Sequence, residues 1–143
     1  MNFQNILIPT DGSESIKFAI EKGLNLAKIS GGKVTALYVL DQSVYSNMPM
    51  DTAIVNIYET LEKEGEEATE YVAKEGSKMG VTVEKKVLEG VPSKTILSIS
   101  EKYDIIVMGT LGKKGMTKVL MGSVAEKIVE NATCPVMIVR ANE

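Results

Sequence analysis

The sequence has 143 residues, no histidine, and a single cysteine, Cys134. Without an imidazole, Ser-His-Asp and Cys-His nucleophiles and every histidine-containing zinc site are excluded. One cysteine cannot build a disulfide framework within a chain, and the setting of Cys134 in ATCPVMIV, at the edge of an apolar strand, argues for burial over a reactive thiol. No apolar run approaches the length needed to cross a bilayer, so no membrane association is expected. Met1 to Thr10 lack the charged, apolar, small-residue order of a secretory leader, which leads to the expectation of a cytoplasmic protein. The net charge of −3 argues against general nucleic-acid affinity, with Lys113, Lys114 and Lys118 as a local exception.

Hydrophobic residues at 44% and charged residues at 24% suit a soluble globular chain. This length is expected to form one domain over 1–143 that removes roughly 70% of its extended-chain surface from water. NILIP (Asn5 to Pro9) reads as a buried strand that Pro9 stops. Ile16, Ala19, Ile20, Leu24 and Ala27 then fall at helical spacing until Gly31-Gly32 ends the pattern. KVTALYVL gives a second strand, followed by the polar, Met-bearing loop DQSVYSNMPM, where Met48 and Met50 read as loose packing. Ile54, Ile57, Tyr58, Leu61, Ala68, Val72 and Met79 trace one face of a long helix, with Glu62, Glu66, Glu67 and Glu70 on a solvated remainder.

VTVEKKVL alternates valines with polar residues but puts Lys85 among the apolar positions, the mark of an edge strand. Pro92 opens a third helix carrying Ile96, Leu97, Ser100 and Tyr103. DIIVMG is a buried strand, Val124, Ala125, Ile128, Val129 and Ala132 are the inward side of a last helix, and PVMIVR closes the chain. Strands alternating with helices predict an open, five-stranded parallel sheet with helices on both faces, a Rossmann-like α/β fold. Ligands of such sheets bind beyond the carboxyl ends of the strands, where strand order reverses. In order 3-2-1-4-5, the turns PTDGS and GTLGKKG both flank that point, and the charged third strand lies at an edge.

Gly109, Gly112 and Gly115 can adopt positive φ and let main-chain N–H groups approach an anion, although Gly115 also reads as plain loop flexibility. Gly122-Ser123 then opens a helix, and the Ser123 hydroxyl either caps that end or donates to a phosphate. Each hydrogen bond to a charged phosphate contributes about 1.5–3 kcal/mol, against about 0.3–1 for the helix dipole, so converging amides outweigh the lysines. A Walker loop fails because Lys114 follows Gly112-Lys113, and the dinucleotide fingerprint fails because PTDGSE follows the first strand. GKKG also looks like the loop of a KH RNA-binding domain, but there it joins two helices, whereas here a strand precedes it. Asp11 caps the first helix, makes an Asx turn, or faces a ligand.

The spacing that fits is G-x2-G-x9-G-[ST], at Gly109, Gly112, Gly122 and Ser123. With ILIPTDGSE, ALYVLD, GVPSKTIL and CPVMIVR, it resembles the ATP-binding universal stress protein family, of adenine nucleotide alpha hydrolase-like fold, over nearly the whole chain. The resemblance implies ATP across the switch point, with Pro9, Thr10 and Val39 meeting adenine and Asp11 facing the ribose or a magnesium or manganese ion on the phosphates. It also implies that Gly109, Gly112, Gly122, Ser123 and Val124 hold ribose and phosphates, with Met108 lining the pocket. Leu111 stands where the family commonly has a basic or imidazole residue, and Val91 where a polar helix cap is usual. No residue is placed as a catalytic base, so binding with at most slow hydrolysis is expected, in a nucleotide-dependent regulatory module. A dimeric interaction module without nucleotide is the alternative. The uncharged last strand, Val136 to Val139, is an edge that invites pairing into a homodimer unless a helix or tail covers it.

Overall fold

Strand-forming apolar runs build β1 (Asn5–Pro9), β2 (Lys33–Asp41), β3 (Val83–Gly90), β4 (Ile105–Gly109) and β5 (Val136–Val139) in the computed structural model, which describes residues 2–110 and 121–141. All pairs are parallel and the order is β3-β2-β1-β4-β5, as the alternation of elements and the position of Lys85 predict. The crossovers are the helices α1 (Ile16–Ser30), α2 (Thr52–Lys78), α3 (Pro92–Ile99) and α4 (Ser123–Asn131).

The period of two along each strand sorts the core into layers. Ile6, Ile8, Val34, Ala36, Ile105 and Val107 pack with Ile16, Ile20, Leu24 and Val72 on the α1–α2 face. Leu7, Leu37, Ile106 and Met108 pack with Ile96, Ala125 and Ile128 on the α3–α4 face. Gly31 ends α1 in the left-handed region, φ 72°, with its N–H donated to the Ala27 carbonyl, the conformation a glycine adopts without Cβ strain. Val91 caps α3 without a side-chain bond. Cys134 is half-buried against the α3–α4 cluster, and burial pushes its thiol above the usual range.

One expectation needs correction and one gains detail. Val129 is 46% exposed: the inward stripe of α4 runs through Ala125 and Ile128, and Val129 sits about 100° further around the helix than Ile128. Glu70 is on the solvated side as expected, its side chain 44% exposed, but it is not unpartnered. It reaches across to β3, where its carboxylate accepts a 2.7 Å hydrogen bond from Lys85 Nζ, so the misplaced lysine of the edge strand has a partner on the covering helix. That contact holds the Glu70 carboxyl below its ordinary value.

Candidate functional site

β1 and β4 separate at their carboxyl ends. Their register closes with Leu7 opposite Ile106, yet β1 stays paired with β2 through Pro9 opposite Leu37, and β4 with β5 through Gly109 opposite Val139. Beyond these, Thr10 N donates to Leu37 O at 2.8 Å and Thr110 N to Val139 O at 3.2 Å. Each central strand is thus drawn toward its outer neighbour, and a crevice opens where the strand order reverses.

One wall of the crevice is the turn after β1. Thr10 is buried, and its Oγ1 accepts from Gly12 N at 3.1 Å; Asp11 Oδ1 accepts from Ser13 N at 3.0 Å. The Asx turn expected of Asp11 is formed, and Ser15, not Asp11, holds the cap position of α1. Gly12 carries φ 79°, which closes the turn without Cβ strain.

The other wall is the start of α4. Gly122 is its cap residue, with φ −71° and ψ 164°, and Glu126 N donates back to Gly122 O at 2.9 Å. Helix geometry therefore leaves the N–H groups of Ser123, Val124 and Ala125 without intrahelical acceptors, and a glycine cap has no side chain to supply one. By contrast α2 is capped by Asp51, whose Oδ1 accepts from Ala53 N and Ile54 N. Ser123 is the first helical residue, not the cap, which removes the capping role expected of its hydroxyl. Gly109 is a regular strand residue, and neither it nor Gly122 has positive φ, so the conformational reason given for Gly109 does not hold. Gly112, Gly115 and the three lysines lie outside the described residues.

The floor between the walls is apolar. Val39 and Val124 pack against the cluster that contains Met108 and Leu37. The structure thus brings Pro9, Thr10, Asp11, Val39, Met108, Gly109, Gly122, Ser123 and Val124 to one end of the sheet.

A cavity of about 340 Å³ opens on the opposite side of the β1 turn, between α1 and α2, sharing Thr10 and Asp11 with the crevice. Its carboxylates are Asp11, Glu14, Glu64 and Glu67, and Lys17, its cation, is already paired with Glu14 at 3.0 Å. Like charge makes this side unsuitable for a polyanion. Sequence reasoning missed Tyr38 here. Its ring is buried and its hydroxyl donates to Glu64 Oε2 at 3.3 Å. Burial first, then the charges of Glu64, Asp11 and Asp41, push its pKa from 10.0 to about 12. A tyrosine at an inward position of KVTALYVL, needing a partner for its hydroxyl, was the available signal. Among the described residues no group of three or more Cys, Asp or Glu side chains is placed to hold a metal, and no helix is long and apolar enough to cross a membrane.

The universal stress protein family model matches residues 2–140. The chain belongs to the universal stress protein family. A universal stress protein of Methanocaldococcus jannaschii is 41% identical over 140 residues, covering 96% of this chain and 82% of the relative. A putative universal stress protein of Staphylococcus haemolyticus is 31% identical, covering 100% and 88%. Among solved structures, the universal stress protein UspA from Lactobacillus plantarum superposes with TM-score 0.89 at 25% identity, covering 98% of this chain and 99% of that one. The hypothetical protein MJ0577 gives 0.88 at 27%, covering 100% and 99%. More distant universal stress proteins, at 18–19% identity and sharing the fold, were solved with cAMP, dAMP or, for one from Arabidopsis thaliana, AMP bound.

Proposed function

We propose that this universal stress protein binds ATP in the crevice between β1 and β4 and acts as a nucleotide-dependent regulatory module in a stress response. The observation that carries the reading is the uncapped start of α4 facing that crevice, at the Gly122-Ser123 end of the G-x2-G-x9-G-S spacing. Its first N–H groups, without intrahelical acceptors, suit an anion, and the apolar floor of Val39, Met108 and Val124 suits a flat base. Pro9, Thr10 and Val39 then meet adenine, while Gly109, Gly112, Gly122, Ser123 and Val124 hold ribose and phosphates. The adenine nucleotides in the distant relatives make this ligand class the one to test, and the glycine spacing favours the triphosphate within it.

Asp11 is the carboxylate at the crevice. A magnesium or manganese ion fits beside it only where phosphate oxygens complete the shell, since the described residues offer no full ligand set. No side chain is assigned as a general base, so the reading is of binding with at most slow hydrolysis. Acid denaturation of the purified protein releases adenine nucleotide, and the emptied protein binds ATP more tightly than AMP or cAMP in a calorimetric titration. Absence of both release and rebinding refutes the reading in favour of an interaction module of the same fold.

The homodimer belongs to this proposal too. Met137 on β5 is 36% exposed, and the strand Val136–Val139 carries no charge to oppose pairing with a second copy. Sedimentation of the wild type gives a dimer and of Met137→Lys a monomer; a monomeric wild type rejects the assembly.

A further inference from the structure

Thr110 stands where β4, β5 and α4 meet. It is buried, its N–H donates to Val139 O on β5, and its carbonyl accepts from Gly122 N at the start of α4. A main-chain bond therefore ties the end of β4 to the start of α4. We infer that Thr110 is a positioning residue for the phosphate side of the site, holding the α4 amides at the crevice before any nucleotide arrives. The inference rests on the nucleotide reading above and adds to it the origin of the site's preorganisation.

The physical argument concerns when ordering is paid for. Bringing the ends of two elements together costs loop-closure entropy, and a site assembled only on binding subtracts that cost from affinity. Here the tie is made within the fold. The Thr110 carbonyl fixes Gly122, and Gly122 O in turn accepts from Glu126 N, so the first turn of α4 is referred to the end of β4 through two consecutive bonds. Thr110 needs no contact with ligand for this role. The bonds are main-chain, so its side chain carries no sign of it.

The tie can be cut selectively. Gly122 has φ −71°, which suits both alanine and proline. Gly122→Ala keeps the N–H, whereas Gly122→Pro removes it, so their difference reports the bond and not the added Cβ. Proline is expected to bind ATP about tenfold more weakly than alanine, as one net hydrogen bond implies, with adenosine bound equally by the two variants. A merely structural role would weaken adenosine and ATP together. Amide hydrogen exchange on the nucleotide-free wild type gives a second readout that does not depend on either variant folding: the Gly122 N–H is expected to be protected. Equal ATP binding by the two variants, or exchange of Gly122 at the open-chain rate, overturns the inference alone. A wild type that binds no adenine nucleotide overturns the functional reading and this inference with it.

Discussion

The turn after β1 and the start of α4 face each other across one crevice, but they treat their main-chain donors in opposite ways. The β1 turn consumes its own: Gly12 N goes to Thr10 Oγ1 and Ser13 N to Asp11 Oδ1. The α4 start, capped by glycine, has no cap side chain to accept from its first amides. Charge follows the same division: Asp11 stands on the β1 wall, and Glu14, Glu64 and Glu67 lie behind it in the α1–α2 cavity. A polyanion has one wall that repels it and one that donates to it, which orients an asymmetric ligand without any base-specific contact.

The largest effect should come from filling the donating wall. Gly122→Val suits the backbone angles there but puts a branched side chain where phosphate oxygens must approach, so ATP affinity is expected to fall by at least about 100-fold, the loss of two charge-assisted bonds, with the fold intact by circular dichroism. An unchanged affinity would show that the amides do not contact the ligand. Next comes a change confined to the other side. A Cβ on Gly65 meets the Tyr38 ring at 2.6 Å, so Gly65→Ala should destabilise the protein by about 1–3 kcal/mol in urea unfolding while leaving the ratio of ATP to adenosine affinity as it was. A changed ratio would mean the two walls are not separable.

Asp11→Asn keeps an oxygen acceptor for Ser13 N but removes the charge, so the turn should survive and the magnesium dependence of ATP binding should shrink several-fold, read by titration with and without metal. Asp11→Ala loses both, and a metal dependence that persists in both variants removes Asp11 from the site. The smallest effect concerns Tyr38. Its pKa is raised in the folded state, so its contribution is fully present below 10.0 and is lost as pH rises through about 12. Tyr38→Phe should therefore flatten the fall of stability over that alkaline window in chemical unfolding, and an unchanged slope there would argue that the hydroxyl is not held.

Most of the fold was legible because parallel strands here are buried on both faces and announce themselves as runs such as NILIP and DIIVM, and because helix stops are marked by Gly31-Gly32. Lys85 correctly marked the edge, but its partner Glu70 could not be seen, since the two residues are fifteen apart on elements whose facing depends on packing. Val129 was misjudged because apolar composition on a short helix does not say how narrow its buried stripe is. The site was legible only as chemistry. PTDGS showed turn residues without showing which donors they use, and the cap reading of Ser123 stood beside the phosphate one because the sequence could not say that the helix starts one residue earlier than a serine cap requires. Thr110 left no trace, since its role is carried by main-chain groups.

The central claim is that the amides opening α4 meet the phosphates, and two-dimensional amide NMR on the emptied protein tests it directly. Titration with ATP should shift the Ser123 and Val124 N–H resonances strongly downfield, and titration with adenosine should leave them nearly in place. ATP that binds while those two amides stay silent would contradict the account.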